Sequence, residues 1–270
     1  MSLWLMALIV GGAAVIAIGI MYVVRRQASV DYFFIEVERG AGTFAFIGTA
    51  YAVLLAFVVL EAFQSFNDAK VGAEEEASTV LQLSRTADFF PLAERDPLEG
   101  GLICYARAVI HEEWPAMKEG TRSPIVQDWV SRLEQGLHDL HPDTNARQGA
   151  FLQVLEQQDK RTDARRARLT EANRELPAPV WFILGLGAFV TIGFAMFFAD
   201  RREHFIVQAS LIGAITALVV SGLLLIWFLD HPYQNQSGSI RPDAMQTQLA
   251  IIEAEQPGAP RLCDAQGHPV

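Results

Sequence analysis

The chain has 270 residues, 51% of them hydrophobic and 19% charged, with a formal net charge of −10. An acidic balance without a basic stripe interleaved with aromatics excludes a nucleic-acid surface. Two cysteines, Cys104 and Cys263, are too few for a disulfide framework or a cysteine metal cluster.

Whole-chain averages conceal four long apolar runs, at 3–24, 43–63, 180–199 and 205–229. Each meets the requirement of about 20 mostly apolar residues for crossing a bilayer's hydrocarbon core. The first run has no basic segment before it and is too long for the apolar part of a cleavable signal, so it reads as a span. The pattern predicts an all-α membrane protein: four transmembrane helices in two pairs flanking an all-helical soluble domain, the second span continuing into that domain. In chain order this gives a first transmembrane pair (1–63), a helical polar domain (64–178), a second pair (179–229) and a partly disordered C-terminal tail (230–270).

Arg25 and Arg26 follow the first span, Arg39 precedes the second, and Arg201 and Arg202 join the third to the fourth. The opposite flanks offer Lys70, Arg174 and Arg241, so the count is five against three. The positive-inside rule then places the short loops in the cytoplasm and the polar domain and both termini outside. Lys160, Arg161, Arg165, Arg166 and Arg168, just upstream of the third span, weigh the other way. An even number of spans separates the two cysteines, so they share a compartment and can pair if it is oxidising. Two unrelated thiols are the simpler expectation.

The polar domain reads as helices throughout, with no convincing period-2 strand. The second span has no breaker at its end and continues toward Phe89, with Val71, Val80, Leu81 and Leu83 as apolar contacts and stops near Pro91 and Pro97. A second helix is expected from about Leu98 to Trp114. A third starts with Ser123 as cap and Pro124 in the first turn, with Val126, Trp129, Val130, Leu133, Leu137 and Leu140 on one face. A fourth runs over about 143–176, with Phe151, Val154, Leu155 and Leu169 inward and its dense charge outward. Pro177 and Pro179 end it.

Helices in lipid pack through small residues. The second span carries Gly48, Ala52 and Ala56, the third Gly187, Thr191 and Ala195, and the fourth Ala209, Gly213, Ala217 and Ser221. These stripes imply tight contacts within a subunit or between subunits. Glu61 is the one formal charge inside any apolar run, and an ionisable group at that depth is costly. Asp68 and Glu75 follow it at intervals of seven on a continuing helix. Around an axis of several copies, Phe57 would make an apolar constriction, and Glu61, Asp68 and Glu75 acidic rings of the kind that select cations. The alternative is that Glu61 reaches the interface while Asp68 and Glu74–Glu76 form a wet helix face.

Catalytic constellations are fragmentary, and no cofactor is implied. His138 and His141 near Asp139 and Asp143 have a spacing that suits a metal, yet they end an amphipathic helix, where histidines favour the dipole. His111-Glu112-Glu113 lacks the second histidine of a zinc-protease helix. No metal site and no enzyme are expected.

Four segments carry a family resemblance: GTAYAVLLAFVVLEAFQSFNDA (48–69), CYARAVIHEEWPAM (104–117), FFADRREH (197–204) and LDHPYQNQSGSIRPDAM (229–245). Together with the two-plus-two spans, they resemble the bestrophin-like family of bacterial membrane proteins. The resemblance implies a multi-pass protein of the inner membrane and distant similarity to bestrophins, pentameric anion channels whose second membrane helix lines the pore. By that analogy Phe57 to Asp68 would lie along the neck. Glu61 and Asp68 depart from an anion path, and the bestrophin arrangement keeps the intervening domain in the cytosol, opposite to the arginine count. The resulting expectation is a homo-oligomeric, channel-like protein in the lipid bilayer that passes ions with a cation preference. The alternative is a non-conducting scaffold or sensor whose helical domain binds an envelope partner.

Overall fold

The computed structural model describes residues 2–27, 37–172, 176–198, 203–234 and 236–270; Arg174, Arg201 and Arg202 of the charge count lie outside the described residues. The elements are α1 (Leu3–Gln27), α2 (Val37–Ala87), α3 (Leu92–Ala108), a π turn (Val109–Glu113), α4 (Trp114–Lys118), α5 (Pro124–His138), α6 (Asn145–Ala172), α7 (Ala178–Met196), α8 (Phe205–Leu229) and α9 (Asp243–Glu255). Among the described residues the only β pairing is an isolated bridge between Cys263 and Pro269. The chain divides into two compact units. One holds Met1–Ser65, Glu175–His231 and Asn235–Gly238; the other holds Phe66–Arg174, Pro232–Gln234 and Ser239–Val270.

The first unit contains α1, the first part of α2, α7 and α8. The four helices α1, α2, α7 and α8 are long and apolar enough to cross a membrane, and this is a membrane protein. Apolar side chains such as Leu8, Phe46, Phe182, Phe189 and Leu218 point outward, as lipid-facing residues do when burial away from water drives nothing. The inward contacts are small and close. Ala17 and Met21 of α1 meet Ala195 of α7 and Ile212 of α8. Tyr51 of α2 meets Ala188 and Val219 and donates its hydroxyl to the Leu184 carbonyl at 3.2 Å.

The second unit is a helical bundle with its own core. Helix α5 starts as its sequence dictates: the Ser123 hydroxyl accepts from the Val126 amide, and Val126, Trp129, Val130, Leu133 and Leu137 are buried, with Leu140. Helix α3 differs from expectation. It begins at Leu92 and passes through Pro97, so the stop lies at Pro91 alone. Past Ala108 it widens into a π turn that buries Val109, Ile110 and Glu113. Val80, Leu81 and Leu83 of α2 are buried, whereas Val71 is exposed.

Further expectations for this unit are overturned. The charge of α6 does not all face out: Arg161, Arg165 and Arg168 are buried beside Val154 and Leu169. The tail, expected to be partly disordered, forms α9 and packs Met245 and Ile252 into the core. Cys263 is bonded to Cys104, so the two thiols are not unrelated. Local fit explains the docking. A Cβ at Gly100 would come within 2.8 Å of the Pro260 carbonyl, and Gly267 holds φ +92° against the Ala108 backbone. A left-handed residue that close to a neighbouring backbone requires glycine. Trp129 donates to the Gly267 carbonyl at 2.7 Å, and Arg107 pairs with Glu253 at 2.7 Å.

Candidate functional site

On α2, residues 57, 61, 68 and 75 fall within an arc of about 40° at 100° per residue. All four side chains are exposed, Phe57 by 68%. Phe57 and Glu61 belong to the first unit, Asp68 and Glu75 to the second. Away from that arc the helix is covered by its own chain: Ala62, Ala69, Ala73, Glu76, Ala77 and Val80 are buried. Two small residues make close approach possible there. A Cβ at Gly72 would meet the Ala164 carbonyl at 3.3 Å, and the Ala69 carbonyl accepts from the Tyr233 hydroxyl at 2.9 Å. Within the first unit the neighbouring exposed face of α2 is apolar, with Val53, Leu60 and Phe63.

The expected packing stripes divide. Gly187 lies directly under the Tyr51 ring, where a Cβ would collide, and Thr191 and Ala195 are buried on the same helix. Gly213 lets Ile18 of α1 approach α8, with Ala209 and Ala217 half-buried and Ser221 exposed. Gly222, one position off that stripe, is the residue that receives Leu55 of α2. The α2 stripe is little used among the described residues: a Cβ at Gly48 would meet nothing within 4 Å, and Ala52 and Ala56 are exposed. The seven-residue spacing that singled out the acidic line also applies to its neighbours, so it was no guide to which face the chain itself covers.

A second constellation escaped the sequence reading. Arg168, fully buried, donates through Nε to Glu76 Oε2 at 2.6 Å and through Nη2 to Glu113 Oε2 at 2.5 Å. Arg165 donates through Nη2 to Glu113 Oε1 at 2.6 Å. The Tyr105 hydroxyl donates to Glu76 Oε1, and Trp114 lies under the Arg168 guanidinium at 5.1 Å. Burial alone would raise the Glu113 carboxyl, but Arg168 and Arg165 hold it below its ordinary value. Burial likewise works against the charge on Arg168, and Glu76 and Glu113 more than offset it. Charged hydrogen bonds of this geometry tie α2, α6 and the π turn together. The signal was present in the sequence: Arg161, Arg165 and Arg168 stand at i, i+4 and i+7, the spacing of one helix face. Of the other ionisable residues singled out there, Glu112 lies 3.2 Å from His268, and His141 lies 3.5 Å from Glu94.

A family model described as a Bestrophin-like domain matches residues 7–245. Among solved structures, a bacterial Bestrophin homologue from Klebsiella pneumoniae, phased on zinc, shares 14% identity at a TM-score of 0.68, covering 95% of this chain and 99% of its own. A point variant of a Klebsiella pneumoniae homologue gives 14% identity and 0.69, covering 94% and 98%. A structure described only as a membrane protein gives 12% and 0.70, covering 92% and 98%. At such identities the likeness shows the fold. No match was found among curated proteins.

Proposed function

Because the chain belongs to the bestrophin-like family, we propose that it is a homo-oligomeric, channel-like membrane protein in which α2 lines a central path. The observation that carries this reading is the two-sidedness of α2. One side is buried by its own chain, while Phe57, Glu61, Asp68 and Glu75 are left uncovered on the other. Copies arranged about an axis would turn Phe57 into an apolar constriction and the carboxylates into rings that favour cations. Ala52 and Ala56, exposed on another face, and Gly48, with room beside its Cα, suit the close approach of a neighbouring helix. A closed ring is needed for either feature to act, and five copies follow from the family analogy.

The domain between the second and third spans faces outside the cytoplasm in this reading. The Cys104–Cys263 bond supports it, since structural disulfides persist in oxidising compartments and are rare in the cytosol. The Arg165 and Arg168 ion pairs support it too, because paired charges buried in a domain no longer count as membrane flanks.

Purified oligomers reconstituted in a planar bilayer test the function. The expected result is a current whose reversal potential follows the cation gradient, with Glu61→Gln lowering cation over anion permeability. Correctly assembled oligomers that pass no ion under any gradient would overturn conduction and favour the scaffold reading.

A further inference from the structure

The buried face of α6 carries one more cation than its neighbours answer. Arg161, Arg165 and Arg168 all lie on it, with Glu76 and Glu113 buried among them. Both oxygens of Glu76 accept from Arg168 or Tyr105. Both oxygens of Glu113 accept from Arg165 or Arg168. Neither carboxylate accepts from Arg161. Tyr105 supplies no negative charge: burial first, and the nearby Glu76, hold its hydroxyl protonated, and it donates to Glu76. On this face three guanidiniums stand against two carboxylates, an excess of one positive charge; the domain's third buried carboxyl, Glu99, accepts from the Ser84 hydroxyl instead.

Arg161 is where that charge resides. Its Nε donates to Gln158 Oε1 at 2.9 Å, and its guanidinium lies over the Tyr105 ring at 4.8 Å. The ring covers one face of the ion and leaves its in-plane edge. Among the described residues, Nη1 and Nη2 on that edge are buried without a hydrogen-bond partner, as is Gln158 Nε2. The Gln158 amide cannot be turned to change this, because its oxygen is the end that must face the Arg161 N–H. The unmet groups are therefore all donors, within one turn of one helix. Buried donors require acceptors, and a buried charge requires an opposite charge. Ordered water would answer the first need and not the second.

We propose that Arg161 and Gln158 form an anion site inside the helical domain, occupied by a small monovalent anion of halide size, chloride in the cell. Monovalence follows from the single uncompensated charge, and small size from the complete burial of Arg161. A guanidinium fork is suited to an anion, and the Gln158 amide stands beside it, its oxygen on Arg161 Nε at 2.9 Å. The site is a property of the folded domain and does not depend on whether the protein conducts.

The deciding experiment is bromide anomalous diffraction on crystals of the full chain grown without chloride. An anomalous peak within hydrogen-bonding distance of Arg161 Nη1 and Nη2 is expected. Water or no density there would overturn the proposal. In solution, replacing sodium gluconate by sodium chloride or bromide at constant ionic strength should raise the unfolding temperature of the detergent-solubilised protein in a saturating manner. Arg161→Met removes the charge and should abolish that rise. Gln158→Glu supplies a built-in carboxylate and should abolish it while keeping the charge balanced. A halide-dependent rise that survives in either folded variant would also overturn the site. Should a variant fail to fold, the bromide map of the wild-type protein decides alone.

Discussion

Glu99 shows how far one side chain is set by its surroundings. It is buried on α3 with Oε2 accepting from the Ser84 hydroxyl at 2.7 Å, and its Oε1 has no partner among the described residues. Burial, partly countered by Ser84 and reinforced by Asp88 and Asp96, pushes its carboxyl from 4.5 up to about 7. A carboxyl raised by folding stabilises the fold fully below its unfolded value and loses that contribution as the pH climbs through the folded one. The domain should therefore unfold at a lower temperature at about pH 8 than at about pH 5, by at most about 3 kcal/mol at roughly 1.4 kcal/mol per unit. Glu99→Gln should flatten the slope in a thermal melt followed by circular dichroism. Glu113 does not confuse the window, because its lowered value places its loss below the ordinary carboxylate range. The Arg168 cluster responds differently: Arg168→Met leaves Glu76 buried without its main partner, and losses of this kind cost about 3–5 kcal/mol. Denaturant unfolding of the purified variant would measure it. Neither environment was legible in the sequence. A lone Glu or Arg carries no mark of burial, and only the i, i+4, i+7 spacing of the three arginines hinted that α6 turns them inward.

Helices were more legible than the contacts they make. The apolar runs at 3–24 and 205–229 became α1 and α8 with the expected starts, because about 20 apolar residues leave the chain little choice in lipid. Ser123 and Pro124 fixed the start of α5 for an equally local reason. Packing partners are non-local, and small-residue stripes identify candidates without naming a mate. The structure pairs Gly187 with Tyr51, and Gly222, outside every stripe, with Leu55. Gly187→Leu should separate α7 from α2 and cost about 1–3 kcal/mol by overpacking, read as a lower unfolding temperature in detergent. Ser221→Leu, at an exposed position of α8, is the control and should leave it unchanged. The tail escaped because its anchors are single residues scattered in sequence. Gly100, Arg107 and Trp129 each meet a different part of it, and no periodic signal links them.

At the scale of the whole molecule, sequence hydropathy gave the spans but not which side the domain occupies. The disulfide makes that question measurable. In intact cells an impermeant maleimide should label the protein only after treatment with an impermeant phosphine, and at both Cys104 and Cys263. Labelling that requires permeabilisation would put the domain in the cytosol. The bond joins residues 159 apart in the chain, and α7 and α8 lie between them. Cys104→Ser should lower stability by roughly 2–5 kcal/mol. After a single proteolytic cut between residues 104 and 263, the fragments should remain together on a gel until reduced.

That ring of chain also has a place in time. Cys263 is made after the last span, so it can reach Cys104 only when all four membrane helices exist and the tail has arrived on the domain's side. Insertion that leaves the fourth span on the wrong side of the bilayer strands the two thiols in different compartments. The covalent bond then never forms. The same cross-link that fastens the tail thus reports on biogenesis: it is lost whenever only one of the third and fourth spans is threaded.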